Sequence, residues 1–126
     1  MSKEKKGSRA IRKSELVTVK NTYEDRDYEV EITLPEFTCL CPMTGYPDFA
    51  IIQVVYVPDK LLLELKSVKL YINGFRNKGI FHEEAVNQIL DDLTTACRPR
   101  RMDITGDFNP RGNVKTVVRA QYRKES

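Results

Sequence analysis

The sequence predicts an α+β fold in which two helices cover one face of a four-stranded antiparallel sheet. Two strand-like stretches lie in the first half of the chain and two near its end, and two stretches with helical spacing separate them. Strand pairs interrupted by a block of helices are typical of antiparallel sheets with the helices on one side. The predicted element order is therefore ββααββ.

The first strand pair is predicted on either side of an unusual loop. Over residues 28–34 apolar and polar residues alternate, as expected when one face of a strand is buried. From Phe49 to Val57 nearly every residue is apolar or β-branched, which predicts a strand covered on both faces. Residues 35–48 predict a 14-residue loop, whereas hairpin loops usually have about 2 to 5 residues. Long loops are commonly functional. Val17 and Val19 indicate a further short strand.

Two amphipathic helices follow, and then the second strand pair. Apolar residues at helical spacing run from Val68 to Phe75, before Asn77 and Gly79, and again from Val86 to Cys97, before Arg98-Pro99. Residues 102–108 then alternate, residues 109–113 supply turn chemistry, and residues 114–122 predict the last strand.

The predicted sheet leaves one face and both edges uncovered. That face is apolar between Ala50 and Tyr56, so association would bury it. We expect a symmetric homo-oligomer in which neighbouring sheets pair edge to edge, with active sites at the seams between subunits.

Length and composition predict one domain. The chain has 126 residues, 40% hydrophobic and 31% charged, which suits one core and excludes a mostly disordered chain. Residues 1–14 hold six basic residues and one acidic residue and predict a disordered basic tail, which leaves residues 15–126 as one domain. Without a long apolar run or an apolar segment typical of a secretion signal, a cytoplasmic location is expected.

The predicted loop carries the clearest candidate for chemistry. The chain has three cysteines, an odd number that predicts free thiols: Cys39, Cys41 and Cys97. Cys41 and Asp48 stand seven residues apart, each next to a proline (Pro42 and Pro47), which suits a thiol nucleophile with a neighbouring proton donor or acceptor. The alternative is a thiol buried for packing and an aspartate that forms a turn.

His82 and Glu83 stand where the second helix begins. Glutamates there often only complement the helix dipole. The functional alternative is that Glu83 binds an edge of a heterocycle while His82 shares a proton. A zinc site that combines His82 with the three cysteines is also conceivable, but the Cys-x-Cys spacing and the place of Cys97 on an apolar stripe argue against it.

The start of the first helix is a candidate phosphate site. Lys66 and Lys69 are one helical turn apart, and free backbone N–H groups there could help to bind phosphate, although a solvated helix face is the alternative. No Rossmann or P-loop motif is present. The basic cluster at Arg98, Arg100 and Arg101 suits a helix C-terminus better than an RNA site.

Several of these segments together resemble the NADPH-dependent 7-cyano-7-deazaguanine reductases of the queuosine pathway. The matching segments span most of the chain from Tyr28 to Tyr122: Glu64-Leu-Lys-Ser-Val-Lys-Leu-Tyr71, Phe75-Arg-Asn77, Phe81-His-Glu83, the cysteine loop from Phe37 to Ala50, and Pro110-Arg-Gly112. Cys39 is a departure from the pattern and is not assigned to catalysis.

The resemblance implies a mechanism and roles for particular residues. Cys41 would add to the nitrile carbon to form a thioimide, Asp48 would donate a proton, and His82 would assist. Glu83 would hold the pyrimidine edge of the substrate. NADPH would lie against a segment whose implied contacts are Glu64, Leu65, Lys66, Ser67, Lys69 and Tyr71. No metal is implied.

The resemblance also implies the tunnelling fold, in its short single-module form. Subunits would join their sheets into a barrel, as pentameric rings stacked into a decamer, and no direct contact with nucleic acid would be required. Two alternatives remain open: a zinc-dependent purine or pterin hydrolase of the same fold, and an RNA-binding protein that uses the basic tail.

Overall fold

A computed structural model describes residues 16–125 of the chain, and their element order confirms the predicted α+β class. The strands and helices are, in chain order, β1 (Thr18–Lys20), β2 (Val30–Leu40), β3 (Pro47–Val57), β4 (Leu61–Leu63), α1 (Leu65–Asn73), α2 (His82–Cys97), β5 (Arg101–Arg111) and β6 (Val114–Arg123). The basic tail predicted for residues 1–14 lies outside the described residues, and the domain bounds remain a prediction.

The main sheet is antiparallel throughout, with strand order β2-β3-β5-β6. Both helices contribute to a single apolar core with the sheet, and α2 contacts β5 and β6. The predicted short strand near Val17 is confirmed as β1, which pairs with β4 in a separate two-stranded sheet. The sequence analysis missed β4. The sheet and the two helices are thus as predicted.

A bulge in β2 makes the predicted 14-residue loop wrong. Leu34 lies opposite Ile52 and Phe37 lies opposite Ala50, so β2 advances by three residues where β3 advances by two. One extra residue on a strand reverses which side chains face the core. The β2 side chains that face the core are therefore even-numbered up to Leu34 and odd-numbered from Phe37 onward. Phe37 and Cys39 are fully buried. The strand runs on to Leu40, and the true loop covers only residues 41–46.

This bulge also explains why the sequence pattern broke. Pro35 and Glu36 stand at the register shift, where the period of two is lost. A proline is tolerated there because β2 is an edge strand of the sheet. The irregular pattern marks a bulge inside a strand rather than the start of a loop.

A second bulge lies near the end of β5. Phe108 pairs with Thr116 and Arg111 pairs with Val114, again three residues against two. The predicted turn over residues 109–113 is therefore too wide, because β5 continues to Arg111. The turn consists of Gly112 and Asn113, with positive φ angles of 62° and 70°. Two consecutive residues with positive φ suit a tight hairpin turn.

The two helices differ in how well their ends were predicted. Helix α2 runs from His82 to Cys97, as expected. Helix α1 ends at Asn73, earlier than its apolar stripe suggests, and tight turns continue to Lys78. Phe75 nevertheless stays in the core, where its ring centroid lies 5.5 Å from that of Phe37.

The face of the sheet opposite the helices is uncovered in the single chain and carries a patch of exposed apolar residues among polar and charged ones. Phe49 is 50% exposed and Ile51 45% exposed, while their neighbours Ala50 and Ile52 are buried. Strand β3, predicted to be covered on both faces, is thus covered on one face only within this chain.

Neither described helix has the length and apolar character that crossing a membrane requires.

Candidate active site

The candidate site lies beside the first turn of α2, at the ends of β2, β3 and β5 where their core-facing side chains meet. Cys41 follows β2, Asp48 stands near the start of β3, and Arg111 ends β5. These side chains share an open cleft of about 210 Å³, lined by Cys41, Pro42, Asp48, Phe81, His82, Glu83 and Arg111. The structure thus brings together all four predicted catalytic and substrate-binding residues.

A backbone bridge holds the first turn of α2 against the cysteine turn. The N–H of Leu40 donates to the carbonyl of Lys78 at 2.9 Å, and the N–H of Ile80 donates to the carbonyl of Leu40 at 3.0 Å. Gly79 lies opposite Leu40 in this parallel bridge. Because α2 starts two residues after Ile80, the bridge places His82 and Glu83 beside Cys41.

The turn of residues 41–46 stabilises the Cys41 thiolate. The side chain is 93% buried, with 7% exposure. Hydrogen bonds from the Thr44 hydroxyl, then from the backbone N–H groups of Thr44 and Met43, and lastly from Arg111 lower the pKa of Cys41 from 9.0 to about 7. Successive N–H groups in a turn form a concave anion site. The thiol is therefore ionised at lower pH than an ordinary cysteine.

Asp48 is buried between two cationic or titratable partners. The Arg111 Nε donates to Asp48 Oδ1 at 2.7 Å, and Arg111 Nη2 lies 3.4 Å from Oδ2. The His82 Nε2 atom lies 3.1 Å from Oδ2. The carboxylate is thus held from both sides, and one of the partners is an imidazole that can carry a proton.

The ring of His82 is fixed by stacking. It lies parallel to the buried Phe108 ring, with 3.8 Å between the centroids and 6° between the planes. This orientation keeps Nε2 directed at Asp48. Glu83 lines the same cleft and is exposed in the first turn of α2, where a carboxylate is also favourable to the helix dipole.

The other two thiols are unsuited to nucleophilic chemistry. Burial, with a contribution from the Asp48 charge, raises the pKa of Cys39 to about 12, and burial raises that of Cys97 to about 12. Both are fully buried. Within residues 16–125 no group of three or more histidine, cysteine or acidic side chains is arranged to hold a metal ion.

The start of α1 does not offer the free backbone N–H groups that the sequence analysis expected there. Glu64 is the N-cap, and its carboxylate accepts hydrogen bonds from the N–H groups of Lys66 at 2.9 Å and Ser67 at 2.8 Å. These bonds lower the pKa of Glu64. The expectation is wrong because a capping carboxylate already occupies the donors that phosphate would need.

The remaining cofactor candidates fall into a buried group and an exposed group. Ser67 is buried and accepts a hydrogen bond from the Val17 N–H at 2.9 Å, and the buried Tyr71 hydroxyl donates to Asp92 at 2.6 Å. Leu65, Lys66 and Lys69 are exposed. Within the described chain, none of the cofactor candidates lines the cleft that contains Cys41.

The basic residues after α2 are engaged elsewhere in the chain. Arg100 forms ion pairs with Asp27 and Asp59, and Arg101 with Glu29. They fasten the segment before β2 to the sheet rather than complement the helix end. A nucleic-acid surface at this cluster is not favoured, because carboxylates already neutralise these guanidinium groups.

Arg111 is the site residue that the sequence analysis missed as a functional candidate. The resemblance to the reductase family includes Pro110-Arg-Gly112, but the sequence predicts only a turn over residues 109–113. The turn residues themselves were the available signal, since a tight turn after a bulge redirects the preceding side chain.

A second depression of about 200 Å³, which involves Asp92, lies at α2 and β1 and contains no thiol or histidine.

An ionisable thiol beside a carboxylate–imidazole pair in an antiparallel α+β chain is the arrangement of a candidate thiol-centred site. The QueF-like protein family matches residues 47–126. Relatives from Microcystis aeruginosa and Thermosynechococcus vestitus, each named NADPH-dependent 7-cyano-7-deazaguanine reductase, are 56% and 53% identical to this chain. These alignments cover 96% and 100% of this chain and 92% and 96% of the relatives. The chain belongs to this reductase family.

A solved structure supports the fold independently. The apo crystal structure of the archaeosine synthase QueF-Like superposes with a TM-score of 0.71 at 21% sequence identity. The match covers 78% of this chain and 96% of that chain. At this identity the similarity concerns the fold alone.

Proposed function

We propose that this protein reduces the nitrile of 7-cyano-7-deazaguanine to an aminomethyl group with NADPH, in queuosine biosynthesis. The observation that carries the proposal is that the Cys41 thiol shares a cleft with Asp48 and His82. Its pKa is lowered to about 7, which favours the nucleophilic thiolate. The names of the relatives supply the substrate and the reductant.

A thiolate is suited to this substrate because a nitrile is a weak hydride acceptor. Addition of sulfur to the nitrile carbon forms a C–S bond and breaks one of the C–N π bonds. The electron pair moves to nitrogen, which takes up one proton to give a neutral thioimide. The C=N bond of the thioimide is a better hydride acceptor than the nitrile.

We propose that the Asp48–His82 pair supplies that proton. The two groups are in contact at 3.1 Å and line the cleft with Cys41, so a proton held by the pair is near the nitrogen that becomes basic. When the carbon is reduced to the imine level the C–S bond breaks, and the sulfur returns to the hydrogen-bond donors of residues 41–46. No metal is needed in this sequence of steps.

Glu83 is the proposed recognition group for the heterocycle. Its carboxylate accepts hydrogen bonds, which fits the N–H groups on the pyrimidine edge of a deazaguanine. The half-exposed ring of Phe81 lines the same cleft and offers a flat apolar surface to the base.

The exposed α1 lysines fit the negative charge of the cofactor. Lys66 and Lys69 are the proposed phosphate contacts, with Leu65 beside them, while Glu64, Ser67 and Tyr71 shape the segment through the bonds described above. Each NADPH would supply one hydride, so two NADPH molecules bound in turn, together with two protons, would convert the nitrile into the amine. Replacement of both lysines by glutamine is expected to raise the KM for NADPH several-fold and to leave Cys41 alkylation unchanged.

We propose that the site is completed between subunits of a homo-oligomer. The cleft of about 210 Å³ is below the roughly 300–1,000 Å³ typical of small-molecule sites and must admit both a base and a nicotinamide. The apolar patch on the uncovered face and the free edges of β2 and β6 favour association into a barrel of the tunnelling fold, as stacked pentameric rings. Cofactor residues and cleft would then meet at a seam.

The direct test is NADPH oxidation that depends on 7-cyano-7-deazaguanine, followed by absorbance, with the amine identified by mass spectrometry. Wild-type protein is expected to consume two NADPH per amine formed, and Cys41→Ser is expected to lose activity by at least about 10³-fold. Cys39→Ser is the matched control and should retain most of it. Substrate-dependent turnover by Cys41→Ser at the wild-type rate would contradict the proposal.

A further inference from the structure

Arg111 contacts both of the reactive groups that the proposed chemistry joins. Its guanidinium makes two contacts with the Asp48 carboxylate, at 2.7 and 3.4 Å, and a hydrogen bond with the Cys41 side chain. The Arg111 side chain is itself 40% exposed, whereas Asp48 is buried. Arg111 therefore spans the cleft from its open side, between a thiolate and a carboxylate.

A bulge near the end of β5 determines the face of the sheet on which the Arg111 side chain lies. Along β5 the even-numbered residues up to Phe108 face the core, so a regular strand would direct Arg111 to the opposite face. The bulge between Phe108 and Arg111 adds one residue and brings Arg111 into the same row as Phe108. Phe108 in turn stacks on His82, so one strand end positions both partners of Asp48.

We propose, on the basis of the proposed reductase function, that Arg111 is a positioning residue that holds the Cys41 sulfur and the Asp48 carboxylate in one arrangement around the nitrile. Without it, two anionic groups would face each other across the cleft and repel. A planar guanidinium can bridge two anions at fixed angles, whereas an ammonium group acts as a single point charge.

Several titratable and charged groups surround the Cys41 thiol, and Arg111 differs from the others in its effect on the Cys41 pKa. The titratable and charged groups that face Cys41 are Cys39 from β2, Asp48 from β3, His82 and Glu83 from α2, and Arg111 from β5. Among the groups that lower the Cys41 pKa, Arg111 is the charged side chain, and the others are the Thr44 hydroxyl and backbone N–H groups.

The experiment compares Arg111→Met and Arg111→Lys with wild-type protein in two assays on the full-length protein. The first is the pH profile of Cys41 alkylation by iodoacetamide without substrate, on a Cys39→Ser, Cys97→Ser background. The second is steady-state reduction, with kcat and both KM values. Arg26→Met, which removes an exposed guanidinium from the segment before β2, outside the cleft and outside the main sheet, is the matched control.

Arg111→Met is expected to move the alkylation profile to higher pH, slow alkylation at pH 7 several-fold, and lower kcat by roughly 10- to 100-fold. Arg111→Lys should retain a profile closer to wild type but still lose kcat, because it cannot bridge both anions. Circular dichroism confirms that each variant is folded. If Arg111→Met fails to fold, the Lys variant decides the question on kcat.

Two results would overturn the proposal. An unchanged alkylation profile with a raised KM for NADPH alone would make Arg111 a cofactor contact. Wild-type kcat in Arg111→Lys would show that a point charge suffices and that no bridging arrangement is needed. Since alkylation requires no substrate, an inactive wild-type protein with a shifted Arg111→Met profile would refute the reductase function and leave the contact between Arg111 and Cys41 intact.

Discussion

The reactivity of Cys41 arises from its own turn rather than from a histidine base. The Thr44 hydroxyl makes the largest contribution to lowering the Cys41 pKa, followed by the N–H groups of Thr44 and Met43. His82 is directed at Asp48 instead. The groups that lower the Cys41 pKa are thus separate from the contact between His82 and Asp48.

Removal of the Thr44 hydroxyl should raise the Cys41 pKa. The native pKa is lowered from 9.0 to about 7, so the thiolate is abundant above pH 7 and is lost as the pH falls through about 7. In Thr44→Val the midpoint of alkylation should move upward, and alkylation at pH 7 should slow several-fold. Thr44→Ser keeps a hydroxyl and should resemble wild type. Equal midpoints in Val and Ser variants would show that the backbone alone holds the thiolate.

At the residue scale the sequence predicted four of the side chains that share the cleft but not Arg111. Cys41 and Asp48 stand out because they lie seven residues apart and each is next to a proline. Arg111 is 63 residues from Asp48 in sequence, and its role depends on pairing between strands that no local pattern specifies. The resemblance to the reductase family was needed to connect the thiol with a nitrile.

At the element scale the active site depends on two bulges. Each adds one residue to a strand and changes which side chains point to the core: in β2 this brings Cys39 and Cys41 inward, and in β5 it brings Arg111. Strand and helix types could be predicted from periodicity. The bulges could not, because a break in the period of two looks the same as the beginning of a loop.

Helix α2 is seated on β5 at Gly106, and this contact positions His82. A Cβ atom on Gly106 would lie 2.6 Å from Val86 Cγ2 and 3.0 Å from Phe108 Cε1. Gly106→Ala should destabilise the protein by about 1–3 kcal/mol in urea unfolding and lower activity, because α2 must move away from the sheet.

The matched test of that clash is the double variant Gly106→Ala, Val86→Ala. Removal of the Val86 methyl groups opens the tighter contact, so the double variant should be less destabilised than the sum of the two single changes. Additive losses, or a Gly106→Ala variant as stable as wild type, would show that the helix is not closely seated at this point.

At the scale of the whole molecule, the single chain leaves apolar residues exposed on one face of its sheet. Phe49, Ile51 and Val117 are large apolar residues exposed on the side of the sheet away from the helices. The sequence predicted this surface from the apolar run in β3. Subunit number cannot be derived from one chain, because it depends on the angle at which neighbouring sheets join.

A charge on the uncovered face should disrupt the proposed assembly. Wild-type protein is expected to elute with a mass that is a multiple of the 14.6 kDa chain in light scattering coupled to size exclusion. Ile51→Lys should shift it to smaller species and lower activity in parallel, since the seams would be lost. Asn87→Lys, on the exposed side of α2, is the control and should remain assembled. A wild-type monomer with full activity would refute assembly at this face.

The most direct test of the central claim is intact-mass analysis of the protein mixed with 7-cyano-7-deazaguanine in the absence of NADPH. The claim is that Cys41 forms a covalent thioimide with the nitrile. Wild-type protein should gain the mass of one substrate per chain, and peptide mapping should place it on Cys41. Cys41→Ala should show no adduct, while Cys39→Ser should form it normally. An adduct of the same mass in Cys41→Ala would contradict the account.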